Sequence, residues 1–271
     1  MNLYKRISYL MILAVFFTSC EDVIDIGLET AEPRLVIDAN IAWVKGTDGS
    51  QQTIRLSTTT DYYASEVPPV SGAVILITNS AGEEFHFSET SEAGRYDCDH
   101  FVPVLGEDYR LAIVSNGQTY TATEKLMDTP AISAVEQENI TFFGEEWIRL
   151  TLYYQDDPEV DNFYLSEANA SFLTAPARTL ISDELSQGNQ ARVDYLDENL
   201  EPGIEIVFSF KSISRRFFHY MTLLEEASSG GPFSTPPANI RGNIVNQTDG
   251  GEYALGYFRL SEVETVSYVV E

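Results

Sequence analysis

The densest cluster of side chains that could bind a metal is the run Asp97-Cys98-Asp99-His100. A thiolate, an imidazole and two carboxylates are ligand types that zinc accepts. On an extended strand, however, successive side chains point to opposite faces, so only alternate residues of this run can converge. Zinc sites more often show separated ligand pairs. We therefore interpret the run as an ordinary strand and loop, with zinc binding as the alternative.

A second candidate for metal binding is the acidic run at residues 156–162, Asp-Asp-Pro-Glu-Val-Asp-Asn. Calcium prefers about six to eight hard oxygen ligands of this kind. The alternating Asp/Asn pattern and the central glycine of an EF-hand loop are missing here. The run therefore predicts a solvated acidic turn, in which Asp156, Asp157 and Asp161 are weak candidates for a partial calcium site. We expect neither a bound metal nor a cofactor.

Catalytic chemistry has little support in the sequence. The chain has three histidines, His86, His100 and His219. His86 lies between Phe85 and Phe87 and should face away from both on a strand. The sequence has no Gly-x-Ser-x-Gly, His-Glu-x-x-His or phosphate-loop motif. Carboxylate pairs suited to glycoside hydrolysis are not diagnostic, because an acidic chain contains many of them. We expect no catalytic residues and no enzymatic activity.

Aromatic residues in or near predicted loops suggest a binding role. These residues are Trp43, Tyr62-Tyr63, Phe142-Phe143 and Trp147. Exposed aromatic side chains can stack on sugar rings or anchor a protein partner. Aromatic side chains inside a β-sandwich usually belong to its core, and that is the default interpretation.

The first twenty residues predict where the protein is located. Lys5 and Arg6 precede the apolar run 10–17, and small residues lead into Cys20. This is the layout of a secretory signal peptide, and the run is shorter than the roughly 20 residues that span a bilayer. We predict a signal peptide at residues 1–19 and a bacterial lipoprotein whose mature chain starts at Cys20, with lipid, including palmitate, attached. The alternative is a soluble secreted protein.

Charge and composition restrict the possible partners. Of 271 residues, 16 are Lys or Arg and 42 are Asp or Glu. Without Lys5 and Arg6 the counts are 14 and 42, which gives a net charge of −28. Such a surface repels nucleic acid and anionic lipid. If Cys20 is lipidated, only Cys98 remains of the two cysteines, so no internal disulfide is available.

The elements expected to position these residues are β-strands. Alternating or apolar β-rich runs predict strands, and Asn116-Gly117 predicts a tight hairpin turn. One helix is expected at about 214–227, with Ser214 capping its start and Gly230-Gly231 after its end. The predicted strands are 35–41, 53–57, 73–77, 84–88, 109–114, 119–123, 132–135, 147–154, 163–165, 204–210, 253–260 and 266–270.

These elements predict an all-β protein with two domains. A lipidated acidic tether at residues 20–32 precedes a β-sandwich domain at 33–126. Asp128-Thr129-Pro130 forms the boundary. A C-terminal, mainly β domain that contains the helix follows at 130–271. The chain length is ample for two cores.

Five stretches, in order, resemble a known family. They are residues 20–25 with 33–37, 69–77, 94–96 with 106–111, 156–158 with 162–165, and 239–244 with 254–258. The chain resembles the Bacteroidota lipoproteins grouped as domain of unknown function 4249. The resemblance implies a transthyretin-like or carboxypeptidase-regulatory-like β-sandwich in front, and an outer-membrane lipoprotein associated with TonB-dependent receptors. Glu21 and Asp22, directly after Cys20, resemble a surface-export signal.

We predict a non-enzymatic binding or assembly module, lipid-anchored at the outer membrane, exposed at the cell surface and accessory to TonB-dependent uptake. The expected partners are the membrane, through the lipid, and a TonB-dependent receptor or a surface glycan, but not nucleic acid. A surface structural or adhesion protein is the alternative. An unrecognised hydrolase is the third hypothesis. Fold alone does not decide between them.

Overall fold

Alternation of apolar and polar side chains along most of the chain produces an all-β protein, as predicted. The computed structural model describes residues 32–61, 64–184, 187–228 and 240–271. The strands and the single helix in these ranges are β1 (Leu35–Val44), β2 (Gln52–Thr58), β3 (Val74–Asn79), β4 (Glu84–Glu89), β5 (Arg95–Cys98), β6 (Asp108–Ser115), β7 (Gln118–Lys125), β8 (Ile132–Phe142), β9 (Glu145–Gln155), β10 (Phe163–Ala170), β11 (Ala177–Ser182), β12 (Gln190–Leu196), β13 (Glu205–Ile213), α1 (Arg215–Ser228), β14 (Val245–Asn246) and β15 (Leu255–Val269).

Two sheets hold these strands. Twelve strands form one sheet in the order β11-β10-β13-β15-β1-β2-β5-β4-β3-β6-β7-β14. The remaining three form a second sheet in the order β12-β9-β8. The Asn116-Gly117 hairpin between β6 and β7 is confirmed, because both residues have positive φ, 50° and 75°. That geometry matches the twist of a two-residue hairpin.

The buried apolar side chains of these strands form two main cores. The first, which we call the first sandwich, buries the inward side chains of β1, β2 and β5 against those of β3, β4, β6 and β7. The second sandwich buries β8, β9 and β12 against β10, β13 and the end of β15. In β2 and β4 of the first sandwich, alternate side chains are buried, as expected of a half-buried strand. Residues 33–271 form one compact unit. The division at residues 128–130 into two domains stays a prediction.

β15 belongs to both sandwiches. Its first part, 255–263, pairs in parallel with β1, and its last part, 264–269, pairs antiparallel with β13. Phe258 and Leu260 enter the first core, whereas Val266 and Tyr268 pack on the second. The sequence predicted two separate closing strands, 253–260 and 266–270, and this is wrong. The intervening residues stay in the strand because residues 261–263 still pair with β1 and residues 264–265 already pair with β13.

The segment between the two sandwiches is held by Thr129, which is 1% exposed. Its backbone N–H donates to the Glu262 carboxylate at 3.0 Å, and its hydroxyl donates to the Glu262 carbonyl at 2.8 Å. The same hydroxyl accepts a bond from the Ser212 N–H at 2.9 Å. Nζ of Lys45, the residue directly after β1, lies 3.4 Å from the Glu262 carboxylate. These contacts fix the connection to β13 and β15.

Helix α1 lies within one residue of the predicted 214–227. The Ser214 hydroxyl accepts a bond from the Phe217 N–H at 3.2 Å, as expected of an N-cap. Phe217 packs with Phe163, Ile213 and Tyr257 in a third apolar cluster. No helix in the described ranges has both the length and the apolar character to cross a membrane. Five predicted features lie outside the described residues: the signal peptide, Cys20, the tether up to residue 31, Tyr62-Tyr63 and Gly230-Gly231.

Candidate binding surface at the β8–β9 hairpin

The tip of the hairpin between β8 and β9 exposes a large apolar side chain. Phe142 pairs with Glu145, which leaves Phe143 and Gly144 as a two-residue turn. Both have positive φ, 50° and 86°. Such turns favour Asn-Gly or Asp-Gly, and a bulky residue at positive φ is an outlier. Phe143 is also 94% exposed. Neither property helps the chain to fold.

Three aromatic rings form a cluster at this tip. The Phe142 ring lies 4.5 Å from the Phe143 ring and 5.3 Å, edge to face, from Trp147. Distances of this kind are typical of favourable aromatic pairs. Phe142 is itself 41% exposed. The rings therefore give the tip a preformed apolar surface, which we call the aromatic tip (Phe142, Phe143 and Trp147).

An acidic cleft of about 330 Å³ adjoins the aromatic tip at Trp147. Five acidic residues line it: Glu145, Glu146, Asp197, Glu198 and Glu271. No lysine or arginine lines it within the described ranges. The nearby Arg149 pairs with Glu138. The tip is thus an apolar projection beside a concentration of negative charge.

Trp43 does not belong to this surface. Its ring packs against the first core, and its indole N–H donates to the Thr47 carbonyl at 2.9 Å. Of the aromatic residues singled out from the sequence, Trp43 therefore takes the default role of a packing residue. Phe142 and Phe143 are instead exposed, as a binding role would require.

Successive side chains of the run from Asp97 to His100 lie on opposite faces of the chain, as expected of an extended strand. Cys98 is 2% exposed, and its Sγ lies 3.7 Å from Nδ1 of His100. Asp97 lies on the other face and accepts bonds from Thr53 and Arg95 at 2.7 and 3.0 Å. Burial raises the pKa of the Cys98 thiol, so the thiolate needed for nucleophilic or metal chemistry is disfavoured.

The acidic run 156–162 does not bring its three candidate ligands together. Asp156 is 2% exposed and accepts bonds from the Tyr164 hydroxyl at 2.6 Å and the Gly188 N–H at 2.9 Å. Exposed Asp157 accepts a bond from the Glu159 N–H at 2.9 Å, and Asp161 pairs with Arg215 at 2.5 Å. Asp156 thus differs from the predicted solvated turn: it is a buried acceptor. No group of three His, Cys, Asp or Glu side chains suited to a metal occurs in the described residues.

Residues 21–267 match the model of the family described as Domain of unknown function (DUF4249). The chain belongs to the DUF4249 family. The match covers most of both sandwiches, the aromatic tip and every lining residue of the acidic cleft except Glu271. No curated protein matches this DUF4249 chain.

The solved structures similar to this DUF4249 chain include a fibronectin type III segment. A two-domain fibronectin type III segment of chicken tenascin is 11% identical, with 66% of this chain and 90% of that chain covered, at a TM-score of 0.23. The FN1–FN3 domains of chicken CNTN1 are 12% identical, with 65% and 57% covered, at 0.26. A cytokine receptor complex is 11% identical, with 68% and 85% covered, also at 0.26. These superpositions are too loose to support an argument about function.

The three histidines of the DUF4249 chain have local contacts. His86 Nε2 lies 3.5 Å from a Glu84 carboxylate oxygen on an exposed face, while Phe85 and Phe87 are buried, as the alternation predicted. His100 Nδ1 lies 3.0 Å from the Asp99 carboxylate. His219 is exposed on α1, with its ring 5.9 Å from that of Phe218.

The burial of Cys98 predicts a protected thiol. In a Cys20→Ser variant, where Cys98 is the remaining cysteine, native protein should react with Ellman's reagent roughly 100-fold more slowly than protein unfolded in guanidinium. The reason is that the buried thiol has a raised pKa and reacts only when β5 opens. Absorbance at equal pH measures both rates. Equal rates would show that Cys98 is exposed and available for chemistry.

The engagement of Asp156 and Asp161 predicts little response to calcium. Added calcium should change the melting temperature by less than about 1 °C, because a ligand stabilises only in proportion to its binding to the folded state. Differential scanning fluorimetry with calcium, and with magnesium as the control, measures this. A rise of several degrees that disappears in Asp157→Ala and Asp161→Ala would establish a calcium site instead.

Proposed function

We propose that this DUF4249 chain is a non-enzymatic binding module that is lipid-anchored at the outer membrane and contacts a partner through the aromatic tip. The observation that carries the proposal is Phe143. Its 94% exposure and its φ of +50° each oppose folding. A residue kept in a strained and exposed conformation supports a functional role. Large exposed apolar groups are a feature of contact sites.

The scaffold supports this role. β8 and β9 pair along their whole length and place the tip at the end of an eleven-residue hairpin arm. The base of β9 is fixed in the second core by Leu150, Leu152 and Tyr154, which are at most 1% exposed. A rigid base with a projecting tip loses little conformational entropy when it binds.

The anchor is proposed from the sequence. A lipid on Cys20 and the acidic tether at residues 20–32 would hold the folded unit at the cell surface. Buried acyl carbons contribute about 0.8 kcal/mol each, and one chain alone binds weakly. Several chains on one cysteine would therefore make the anchoring stable. Incorporation of labelled fatty acid, absent in Cys20→Ala, is expected; no label on the natural chain would refute the anchor.

We propose that the module is accessory to TonB-dependent uptake, with a receptor barrel as its partner. Cells that lack the gene should then fail to grow on a particular nutrient, and the natural chain should restore growth. Phe142→Ser/Phe143→Ser should not restore it, although the protein is made and anchored. Val74→Ser is the matched control, since Val74 is 65% exposed on the first sandwich.

A photo-crosslinking amino acid at position 143, compared with position 74, tests the contact directly. The proposal predicts a specific adduct at position 143 and none at position 74. No adduct at 143, together with full growth of the double variant, would refute it. An adduct with matrix glycan would instead favour adhesion.

A further inference from the structure

We infer that the partner of this surface is a protein that presents basic side chains around an apolar pocket. Phe143 would enter the pocket, and an arginine or lysine of the partner would enter the acidic cleft beside Trp147. This inference rests on the proposed function and adds the chemistry of the partner.

The apolar part follows from the tip itself. An aromatic side chain buries about 150 to 250 Å² when it is enclosed. Phe143 is almost fully exposed and Phe142 is 41% exposed, so most of their area is available. Aromatic anchors that enter a pocket at the centre of an interface contribute most of the binding energy in many complexes.

The basic side chains of the inferred partner follow from the acidic cleft. Glu145, Glu146 and Glu198 take part in none of the ion pairs found among the described residues. Asp197 and Glu271 add two more acidic residues to the same lining. A guanidinium would form charge-assisted hydrogen bonds with these carboxylates, and it can also stack on an aromatic ring such as that of Trp147.

The same charges disfavour other surfaces. The chain has a formal net charge of −26, and the cleft adds local negative charge directly beside the tip. An anionic lipid surface brought to Phe143 would therefore meet repulsion from Glu145 and Glu146. A neutral glycan could stack on the rings and donate hydroxyl hydrogen bonds to the carboxylates, but it would bring no positive charge to balance them. The combination of apolar tip and acidic cleft favours a basic protein surface.

A peptide titration tests this chemistry with a defined probe. The chain has two tryptophans, so a Trp43→Phe background leaves Trp147 as the only one and makes its fluorescence report on the cleft. The probes are two peptides of about twelve residues, one alternating leucine with arginine and the other alternating leucine with glutamate. The arginine peptide is expected to bind and the glutamate peptide is not.

Matched variants separate local charge from net charge. Glu145→Gln/Glu146→Gln/Glu198→Gln should weaken the arginine peptide roughly tenfold, as should Phe142→Ser/Phe143→Ser. Asp61→Asn/Glu66→Gln/Asp108→Asn removes three charges from exposed residues outside the tip and should change the dissociation constant less than about twofold. Equal weakening in both triple variants, or equal binding of the glutamate peptide, would overturn the inference.

Crosslinking at position 143 distinguishes failure of the inference from failure of the proposed function. Absence of any adduct, together with full growth of the Phe142→Ser/Phe143→Ser variant, removes both. An adduct that persists unchanged in the Glu145/Glu146/Glu198 variant leaves the docking role intact and overturns the basic partner. A protein adduct that is lost in this variant but kept in the control variant supports the inference. An adduct with glycan, or binding of phosphatidylglycerol vesicles through the tip, overturns it.

Discussion

Replacing Gly256 by alanine is expected to lower the free energy of unfolding by about 3 kcal/mol or more. Gly256 has φ +94°, in the region that only glycine adopts readily. A Cβ there would lie 2.0 Å from the carbonyl oxygen of Ile37, its partner on β1. The obstacle is backbone, so no side-chain rotation can relieve it. The parallel pairing of β1 and β15 would have to open.

Urea unfolding measures this loss, and two other glycines provide controls. Gly72 has φ +75° with open space around its Cβ position, so Gly72→Ala isolates the backbone strain, about 1 kcal/mol. Gly250 lies in open space without a positive φ, so Gly250→Ala should be nearly neutral. If Gly256→Ala destabilised no more than Gly72→Ala, the close approach of β15 to β1 would be refuted.

The destabilisation caused by Gly256→Ala should affect both apolar cores. β15 supplies Phe258 and Leu260 to the first core and Val266 to the packing of the second. Opening the β1 pair therefore loosens the strand that the two sandwiches share. We expect Gly256→Ala to unfold in one transition at a lower urea concentration, since contact between the cores passes through this strand.

The sequence was most informative where the structure depends on neighbouring residues. Asn116-Gly117 predicted its hairpin correctly because both residues adopt positive φ at low cost. Ser214 and Gly230-Gly231 predicted α1 because the signals that start and stop a helix also act between neighbouring residues. The Phe143-Gly144 turn has the same positive φ values, but phenylalanine is not a turn residue, so its type could not be recognised.

The sequence failed where a distant partner determines the structure. Residues 261–265, Ser-Glu-Val-Glu-Thr, are mostly polar, and this pattern predicts a break between two strands. In the structure Ser261 and Glu262 are at most 5% exposed. Glu262 accepts from Thr129, 133 residues away, and the Ser261 hydroxyl donates to the Ser212 carbonyl. Periodicity along the chain cannot show such long-range partners.

Sequence reasoning could identify the aromatic half of the candidate site but not the acidic half. Phe142, Phe143 and Trp147 were recognised as aromatic residues in or near a loop. The acidic cleft brings Asp197 and Glu198 from beyond β12 and Glu271 from the end of the chain to the side of Trp147. The sheet order β12-β9-β8 places residues 197–198 beside β9, and two hydrogen bonds with the Gln137 side chain hold Glu271 against β8. In a chain with 42 acidic residues, composition cannot single out these five.

Replacing Glu167 by glutamine is expected to destabilise the protein by about 3 kcal/mol, because breaking a buried ion pair leaves an uncompensated charge. Its carboxylate accepts bonds from Lys211, whose side chain is 7% exposed, and from Arg178 at 3.0 Å. Burial acts to raise the pKa of Glu167, but Lys211 and Arg178 outweigh it and hold that pKa below its ordinary value. Burial also lowers the pKa of nearby Arg259 to about 10. Without Glu167, these cations would lose their main counter-charge.

The direction of the Glu167 shift determines the pH dependence. The folded-state pKa lies below the unfolded value of about 4.3, so the stabilisation is complete above that value and is lost as pH falls through the folded pKa. The natural chain should therefore lose stability more steeply than Glu167→Gln between about pH 5 and pH 3. Glu201→Gln, at an exposed position, should keep the natural slope.

A double variant separates the pair from the cost of the unpaired charge. Glu167→Gln/Lys211→Met removes this carboxylate together with its most buried partner and should recover part of the stability lost in Glu167→Gln, because Lys211 is then no longer an unpaired buried charge. The recovery is partial, because Arg178 and Arg259 still lack their counter-charge. Urea unfolding at neutral pH measures the cycle. The loss of stability in the double variant could instead equal the sum of the losses in the two single variants. Glu167 and Lys211 would then act independently, and the charged side chains of Arg178 (β11), Glu167 (β10) and Lys211 (β13) would not form a coupled network.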